Sequence, residues 1–292
     1  MSNSIVVGCD IGGSHISTAL VDLNENKIIP ESFVRLPVDS HTNPADIITT
    51  WCNAIKSAAT NSKIEVTKIG IAMPGPLDYE KGICMIKDQD KYEQLYGLNL
   101  KELIGERLQL TVGDIAMMND ASSFLQGEML AGAGAGFKKA IGFTLGTGLG
   151  SAIYNDHSAK DAALWNFPYR EGIAEDYFST RWFTKTFNAR TGASVMNVKE
   201  VLAQDEQREL VLELFDTFAT NLADFIFSLY RKESPEVIVL GGNITKSADL
   251  FLSKTISCLS EKGCFTPIRI ANLGELSAIY GAAGQFRLSE VE

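Results

Sequence analysis

The chain has 292 residues, of which 45% are hydrophobic and 21% are charged, a composition typical of a globular protein with one large domain or two smaller ones. Its net charge of −10 argues against nucleic acid or an anionic membrane surface as a partner, since either would favour a basic patch. No apolar run approaches the roughly 20 residues that span a membrane. The N-terminus lacks a signal-peptide pattern, so we expect a cytoplasmic protein.

The cysteines show no paired short spacing, which predicts reduced, mostly buried thiols rather than disulfides or a structural zinc site. They are Cys9, Cys52, Cys84, Cys258 and Cys264.

The chain begins with a predicted strand, glycine turn and strand. Residues 5–9 form the first strand, which ends at Asp10, and residues 16–23 form the second. Glycines in the turn Gly12-Gly13-Ser14 would let backbone N–H groups approach phosphate oxygens, and Asp10 is placed to hold a hydrated Mg²⁺ beside them. An ordinary hairpin with a turn aspartate fits the same residues.

Two loops follow whose roles the local sequence leaves open. A helix is predicted over 44–61 and a strand over 68–73, which ends at Pro74-Gly75-Pro76. That loop either borders a ligand or simply breaks the strand. Residues 87–90, Lys-Asp-Gln-Asp, offer hydrogen-bonding groups to a polyol, although a solvated loop has the same composition. Asn99 is predicted to cap the helix that follows it, over 101–110.

The main candidate for proton transfer lies between residues 115 and 130. Apolar residues 115–118 predict a short buried strand, and residues 122–130 predict a helix. Asn119 and Asp120 therefore lie at a strand end, where ligands bind in open α/β sheets. Asp120 is a candidate proton acceptor, with capping of its helix as the alternative.

A second strand, glycine turn and strand repeats the layout of residues 5–23. Its first strand spans 140–145, and the turn contains Gly146, Thr147 and Gly148. The repeat suggests two cradles that close on one polyphosphate, although glycines in either turn serve equally well to reverse the chain.

The C-terminal half is predicted to be mostly helical. Helices are expected over 171–187, 210–230, 246–261 and from 275 to about 288, with strands over 236–240 and 267–271. Gly241-Gly242 follows the strand at 236–240 and would let an adenine or ribose pass without side-chain obstruction. Glu175 lies near the start of its predicted helix, a position that the helix dipole alone favours for a carboxylate.

Four motifs now stand in order: DIGGSH at 10–15, MND at 118–120, LGTGLGSAI at 145–153 and VIVLGGN at 237–243. As a set they resemble the ROK family of sugar kinases and related repressors, within the actin-like, ribonuclease H-type ATPase folds. The resemblance implies an α/β protein of two ribonuclease H-like domains, with ATP and Mg²⁺ in the cleft between them. We expect domains at 1–118, joined by the C-terminal helix 275–292, and at 119–274. It also suggests a homodimer.

The resemblance assigns roles to individual residues. Asp120 matches the general base, and Glu175, in the sequence AEDYFS, resembles a glutamate that binds sugar hydroxyls. The implied sugar-binding residues are Gly75, Asn119, Asp120 and Glu175. The implied nucleotide- and phosphate-binding residues are Asp10, Gly12, Gly13, Ser14, Gly146, Thr147, Gly148, Gly241 and Gly242, with Asp10 holding Mg²⁺ through water.

Two departures from the family pattern affect the predicted sugar site. A GExGH segment and a cysteine-rich zinc motif are replaced near Ala163 and Asn166, so we predict no zinc and an altered sugar pocket. The usual Asn-Leu-Pro-Gly-Trp segment is replaced by KDQDKYEQLYGLN, so the usual hexose preference does not carry over. The repressors carry a helix-turn-helix ahead of the first hairpin, and only four residues precede Ile5 here, so DNA binding is not expected.

The predicted activity is therefore phosphoryl transfer from ATP to a hydroxyl of a hexose or amino-hexose, most simply the 6-hydroxyl. The main alternative is a sugar-binding sensor of the same fold that has lost catalysis. An actin-like ATPase that acts on another substrate, such as an acid, is a third interpretation.

Overall fold

The computed structural model describes residues 4–288, so residues 289–292 of the predicted segment 275–292 lie outside the described residues. The chain divides into two compact units. Unit 1 comprises Met1–Gly136, His157–Lys160 and Asn272–Glu292, and unit 2 comprises Phe137–Asp156 and Asp161–Ala271.

The strands before residue 131 are β1 (Ile5–Ile11), β2 (His15–Asp22), β3 (Lys27–Ile28), β4 (Val34–Pro37), β5 (Ile69–Ala72), β6 (Leu77–Asp78), β7 (Ile83–Cys84) and β8 (Ile115–Met118). The α-helices of this part are α1 (Pro44–Ser62), α2 (Leu100–Leu108) and α3 (Asp120–Ala131). The later strands are β9 (Lys139–Leu145), β10 (Leu149–Asn155), β11 (Ser158–Asp161), β12 (Pro168–Tyr169), β13 (Gly172–Ile173), β14 (Val237–Gly241) and β15 (Ile268–Ile270). The later α-helices are α4 (Thr180–Thr191), α5 (Val198–Leu202), α6 (Arg208–Glu233), α7 (Leu252–Glu261) and α8 (Leu276–Leu288).

Unit 1 is built on a sheet in the order β3-β2-β1-β5-β8, with β4 also paired to β2. Strands β1 and β2 form the predicted antiparallel hairpin, whereas β1, β5 and β8 run parallel. Helix α1 begins with the predicted Pro44 and is capped by the Asn43 side chain, which accepts from the Asp46 N–H. Its apolar face is buried in the unit 1 core, as the helical spacing predicts.

Helix α8 lies against the sheet of unit 1 at unusually short range. A Cβ built on Gly8 of β1 would lie 2.9 Å from the Ile279 carbonyl carbon, and one on Gly70 of β5 would lie 2.8 Å from the Ala283 nitrogen. Real side chains essentially never approach backbone so closely, and the two strand glycines therefore permit the helix backbone to lie directly on the sheet.

Helices α3 and α8 approach each other in the same way, through Gly127 and Gly281. A Cβ on Gly281 would lie 2.6 Å from the Ser123 carbonyl carbon and 2.9 Å from the Gly127 nitrogen. This packing explains why α3 belongs to unit 1, whereas the predicted boundary at residue 118 placed α3 with the second domain. The structural boundary follows α3, at Gly136.

A fully buried carboxylate, Glu128 of α3, joins two segments of unit 1. It accepts hydrogen bonds from the Ala133 and Leu273 N–H groups, at 2.8 and 3.0 Å, and from the Ser277 hydroxyl at 2.7 Å. Charge-assisted bonds of this kind offset the cost of burying a carboxylate. Glu128 thus holds the segment that leaves α3 against the start of α8.

Unit 2 contains strands in the order β10-β9-β14-β15, with β9 and β10 antiparallel and the other pairs parallel. Helix α6 covers the predicted 210–230 and extends it at both ends. Its buried stripe includes Phe215, Phe218 and Phe225, and Phe178 stacks on Phe225 with 4.9 Å between ring centroids. This aromatic cluster forms the centre of the unit 2 core.

Two predicted helices of unit 2 differ from the structure. The prediction over 171–187 is wrong in its first half, where β13 and a 3₁₀ turn at Ala174–Asp176 precede α4. The predicted helix 246–261 is divided into a 3₁₀ segment, Asn243–Leu250, and α7. Both segments have apolar spacing that suits a helix, and local backbone pairing and turns override it.

No helix among residues 4–288 is both long and apolar enough to cross a membrane.

Candidate functional site

The parallel register of unit 1 brings three predicted site residues to one sheet edge. Asp10 of β1 pairs with Ala72 of β5, and Ala72 pairs with Met118 of β8. Gly75 lies three residues beyond Ala72, and Asp120 lies two beyond Met118. Because the carboxyl ends of parallel strands share an edge, this is the edge at which α/β proteins bind ligands.

The first glycine turn is closed by a hydrogen bond from the Gly12 N–H to the His15 carbonyl, at 3.0 Å. Within the described residues, the N–H groups of Gly13 and Ser14 donate to no protein acceptor. Gly13 and Ser14 are both exposed. Two successive exposed N–H donors in a turn form a concave anion-binding site.

Asp120 is the first residue of α3, and the cap is Asn119. The Asn119 side-chain oxygen accepts from the Ala121 and Ser122 N–H groups, at 2.9 and 3.3 Å. One Asp120 oxygen also accepts from the Ala121 N–H at 2.9 Å, and Asp120 is exposed. The capping role that the sequence allowed for Asp120 thus falls chiefly to Asn119. The helix dipole also favours a carboxylate in the first turn of a helix.

Asp10 lies in a negative environment that perturbs it strongly. Burial, followed by the charges of Asp120 and Glu275, raises the pKa of Asp10 to about 6, and Arg35 opposes this rise. The carboxylates of Asp10 and Asp120 are therefore close enough to repel each other. The negative charge of Asp120 thus disfavours ionisation of Asp10, which a cation at this edge would favour.

Arg35 and His15 at this edge are engaged with neighbouring side chains. Arg35 forms an ion pair with Glu275, and its guanidinium contacts His15 Nε2 at 2.9 Å. The Ser14 hydroxyl contacts His15 Nδ1 at 3.1 Å. The sequence did not identify Arg35 or Glu275, because neither lies in a recognisable motif and only folding brings β4 and the start of α8 to the turn.

The loop after β5 is tightly built around Gly75. A Cβ on Gly75 would lie 2.9 Å from the Tyr79 hydroxyl oxygen, and that hydroxyl donates to the Met73 carbonyl at 3.0 Å. The peptide bond between Gly75 and Pro76 is cis. The Tyr79 hydroxyl thus holds the loop beside the edge, where a ligand border is predicted.

Unit 2 contains the second predicted glycine turn, between β9 and β10. The Gly146 N–H donates to the Gly148 carbonyl at 3.1 Å, which closes the turn as in unit 1. Among the described residues, the N–H groups of Thr147 and Gly148 donate to no protein acceptor. The two turns thus share both their hairpin geometry and a pair of available donors, as the predicted repeat implies.

Glu175 lies against this second turn. Its Oε2 atom accepts from the Leu149 N–H at 3.0 Å, and a Cβ on Gly148 would lie 2.5 Å from the same oxygen. Its other oxygen forms an ion pair with Arg181. Glu175 lies in the 3₁₀ turn rather than at the start of an α-helix, so the predicted stabilisation by a helix dipole is wrong for this residue. Its carboxylate instead fixes the backbone of the glycine turn.

Gly241 and Gly242 lie at the edge of the unit 2 sheet that also carries the second glycine turn. Gly241 pairs with Thr144 of β9, two residues before Gly146 of the glycine turn. Gly242 has φ of +89°, and a Cβ there would lie 2.7 Å from the Leu145 carbonyl carbon. Glycine is required at this position both for its backbone angle and for the close approach.

The remaining predicted positions are exposed. Residues 87–90 are exposed, and Asp88 and Asp90 adopt left-handed backbone angles. Near the replaced GExGH segment, Ala163 precedes a short 3₁₀ turn, Leu164–Asn166, and Trp165 is 47% exposed. Within residues 4–288, no group of three or more His, Cys, Asp or Glu side chains is arranged to hold a metal ion.

Comparison with known proteins gives relatives along nearly the whole chain. The N-acetylgalactosamine kinase AgaK of Shewanella sp. (strain ANA-3) is 24% identical and covers 94% of each chain. A glucokinase of Halalkalibacterium halodurans is 25% identical, over 96% of this chain and 94% of the relative.

Solved structures of similar fold include a ROK hexokinase from Thermus thermophilus, with a TM-score of 0.82 at 20% identity over 98% of this chain and 99% of that one. A ROK family glucokinase from Streptomyces griseus in complex with glucose and AMPPNP has a TM-score of 0.73 at 22% identity, over 97% and 99% of the two chains. These similarities confirm the predicted α/β fold of the actin-like ATPase type.

The model of the ROK family matches residues 6–160, which include the β1–β2 turn, Asp120 and the β9–β10 turn. The matched segment is more than half of the chain, so this protein belongs to the ROK family.

Proposed function

We propose that this ATP-dependent carbohydrate kinase transfers the terminal phosphoryl group of ATP to a hydroxyl of a hexose or amino-hexose, most simply the 6-hydroxyl. The substrate class is taken from relatives named as an N-acetylgalactosamine kinase and a glucokinase. The observation that carries the mechanism is the position of Asp120, exposed at the start of α3 and close enough to Asp10 to raise its pKa.

Asp120 is the proposed general base. Its carboxylate accepts the proton of the sugar hydroxyl as that oxygen attacks the phosphorus, and no covalent enzyme intermediate is needed. Its bond to the Ala121 N–H orients the carboxylate at the start of α3. Asn119 has its side-chain oxygen engaged with the helix, so the amide NH₂ is the group that would donate to the sugar.

The two glycine turns are the proposed phosphate sites. Each presents two successive N–H groups that donate to no acceptor among the described residues. They belong to Gly13 and Ser14 in unit 1 and to Thr147 and Gly148 in unit 2. Backbone donors suit phosphoryl oxygens because they are fixed before the reaction and need no reorganisation as charge develops. Gly241 and Gly242, which lie near the second turn, are the proposed nucleotide contacts.

The residues at the unit 1 edge fit a magnesium ion. The mutual repulsion of Asp10 and Asp120 would be relieved by a divalent cation, and Mg²⁺ characteristically takes one or two carboxylates and keeps several waters. Asp10 would hold this ion through water. The ion would neutralise charge on the phosphoryl oxygens when bound.

The test is an ADP-release assay across a panel of hexoses and amino-hexoses, with the phosphorylated position of the product identified by NMR. We expect ADP formation with at least one panel member, and Asp120→Asn should lower its turnover by about 10²–10⁴ while nucleotide affinity stays within a few-fold. Wild-type-like turnover in Asp120→Asn would remove this residue from the role of base.

The altered segment near Ala163 and Asn166 supports one alternative, a sugar-binding sensor without catalysis. Sugar binding measured by calorimetry, with no ADP release for any bound sugar, would establish the sensor instead of the kinase. A homodimer, as the ROK resemblance implies, is checked by light scattering on the same preparation.

A further inference from the structure

The segment that replaces the family's usual Asn-Leu-Pro-Gly-Trp sequence lies against the first glycine turn. Tyr92 in this segment is fully buried, and its hydroxyl donates to the Gly12 carbonyl at 2.5 Å. The Tyr92 N–H donates to the Ser40 carbonyl at 3.0 Å, and its ring packs edge-on against Trp51, with 5.5 Å between centroids. Tyr92 therefore fixes the segment to both the core and the turn.

This anchor sets the position of the preceding residue, Lys91. Its Cδ atom lies 3.5 Å from the site of a Cβ built on Gly13, so the lysine stem runs alongside the glycine turn. The side chain is only partly exposed. Among residues 4–288, no hydrogen bond or ion pair engages the Lys91 ammonium. A lysine ammonium without a protein partner beside two available N–H donors favours binding of an anion.

Arg35 also lies near the turn but is not available to bind an anion. Arg35 is paired with Glu275 and in contact with His15, so its donors are largely used within the protein. Lys91 is thus the cation that the turn leaves available to an anionic ligand. Its neighbours in the turn, the free N–H groups of Gly13 and Ser14, are also donors.

The chemistry of the edge selects a phosphoryl group as that anion. The Gly13 and Ser14 N–H groups and the Lys91 ammonium are several donors around one turn, which suits the several acceptor oxygens of a phosphoryl group. The sugar hydroxyl that Asp120 deprotonates attacks the terminal phosphoryl group, so that group is the one expected at this edge. We propose that Lys91 binds the terminal phosphoryl group of ATP above the Gly12-Gly13 turn, an assignment that rests on the proposed kinase function.

The matched variants are Lys91→Met and Lys87→Met. Methionine retains the apolar stem of lysine without its charge, and Lys87 is an exposed lysine in the same segment. Calorimetry with Mg²⁺ compares a non-hydrolysable ATP analogue with ADP for each variant. We expect Lys91→Met to weaken binding of the analogue by about 10- to 100-fold and that of ADP by less than about threefold. Lys87→Met should bind both as wild type does, and Lys91→Arg should recover part of the lost affinity.

Three results would overturn the assignment. Equal weakening for ADP and the analogue would place the lysine on inner phosphates. Unchanged affinity for both, or a rise in sugar KM alone, would remove it from the nucleotide site. Wild-type protein that binds neither nucleotide would refute both this assignment and the kinase. Wild-type protein that binds the analogue but phosphorylates no sugar would refute only the kinase, since the ratio of the two affinities still decides the position of Lys91.

Discussion

Replacing Gly281 by alanine tests whether glycines set the distance between α3 and α8. In an exposed helix this change would stabilise by about 1 kcal/mol, because alanine has the higher helix propensity. Here the new Cβ would lie 2.6 Å from the Ser123 carbonyl carbon and 2.9 Å from the Gly127 nitrogen. Favourable contacts between carbon atoms need about 3.5–4.0 Å, so the helices must separate by about 1 Å.

The expected cost follows from these distances. Overpacking against atoms that cannot rotate away costs about 1–3 kcal/mol, and here the obstructing atoms are backbone. Separation also stretches the bond from the Ser123 hydroxyl to the Ala278 carbonyl, now 2.7 Å, which is worth about 1 kcal/mol. After subtracting the propensity gain, Gly281→Ala should destabilise unit 1 by about 1–3 kcal/mol.

Gly284→Ala is the matched control, one turn further along α8. Its new Cβ would meet the Leu130 Cδ2 atom at 3.4 Å, which is an ordinary contact at the end of a side chain. We therefore expect this variant to be as stable as wild type or more stable, by up to about 1 kcal/mol.

Urea unfolding followed by far-UV circular dichroism measures both variants. The midpoint should fall for Gly281→Ala and stay or rise for Gly284→Ala. If the two variants unfold at the same urea concentration, the close approach of α3 and α8 does not control stability. Since Asp120 begins α3, folded Gly281→Ala protein should also show lower turnover than Gly284→Ala.

Two further predictions concern the glycine turns. Folded protein without Mg²⁺ holds the Asp10 proton more tightly than the unfolded chain does, so the free energy of unfolding should fall by up to about 3 kcal/mol as pH rises from about 4 to about 6, and then level off. Asp10→Asn should remove this fall, which is measured from urea midpoints at pH 4 and 7.5. A difference in midpoint between the variant and wild type that is the same at both pH values would contradict the prediction. Glu175→Ala leaves the Leu149 N–H without its acceptor, so nucleotide affinity should drop by about tenfold while sugar KM changes little, by titration and steady-state kinetics. A rise in sugar KM alone would instead place Glu175 on the sugar, as the family resemblance implies.

The sequence alone predicted the two hairpins and their glycine turns well, because each is made within about twenty residues. Strand propensity on both sides of a Gly-rich turn leaves few other local structures. The helix starting at Pro44 and the long stripe of α6 were predictable for the same local reason. Prediction was wrong for residues 171–179, where apolar spacing suited a helix but the backbone forms β13 and a 3₁₀ turn. There Glu175 bonds to β10, a contact that local spacing does not reveal.

The order of motifs along the chain, together with the residue types within them, was sufficient to identify the fold, the family and the candidate base Asp120. Their electrostatic relationships depend on tertiary structure. Only the parallel register of β1, β5 and β8 brings Asp10 to Asp120 and perturbs its pKa. Only the burial of Tyr92 places an unpaired lysine beside Gly13. Short-range steric preferences are encoded within a few residues, whereas charge interactions depend on distances that are defined after distant segments have packed together.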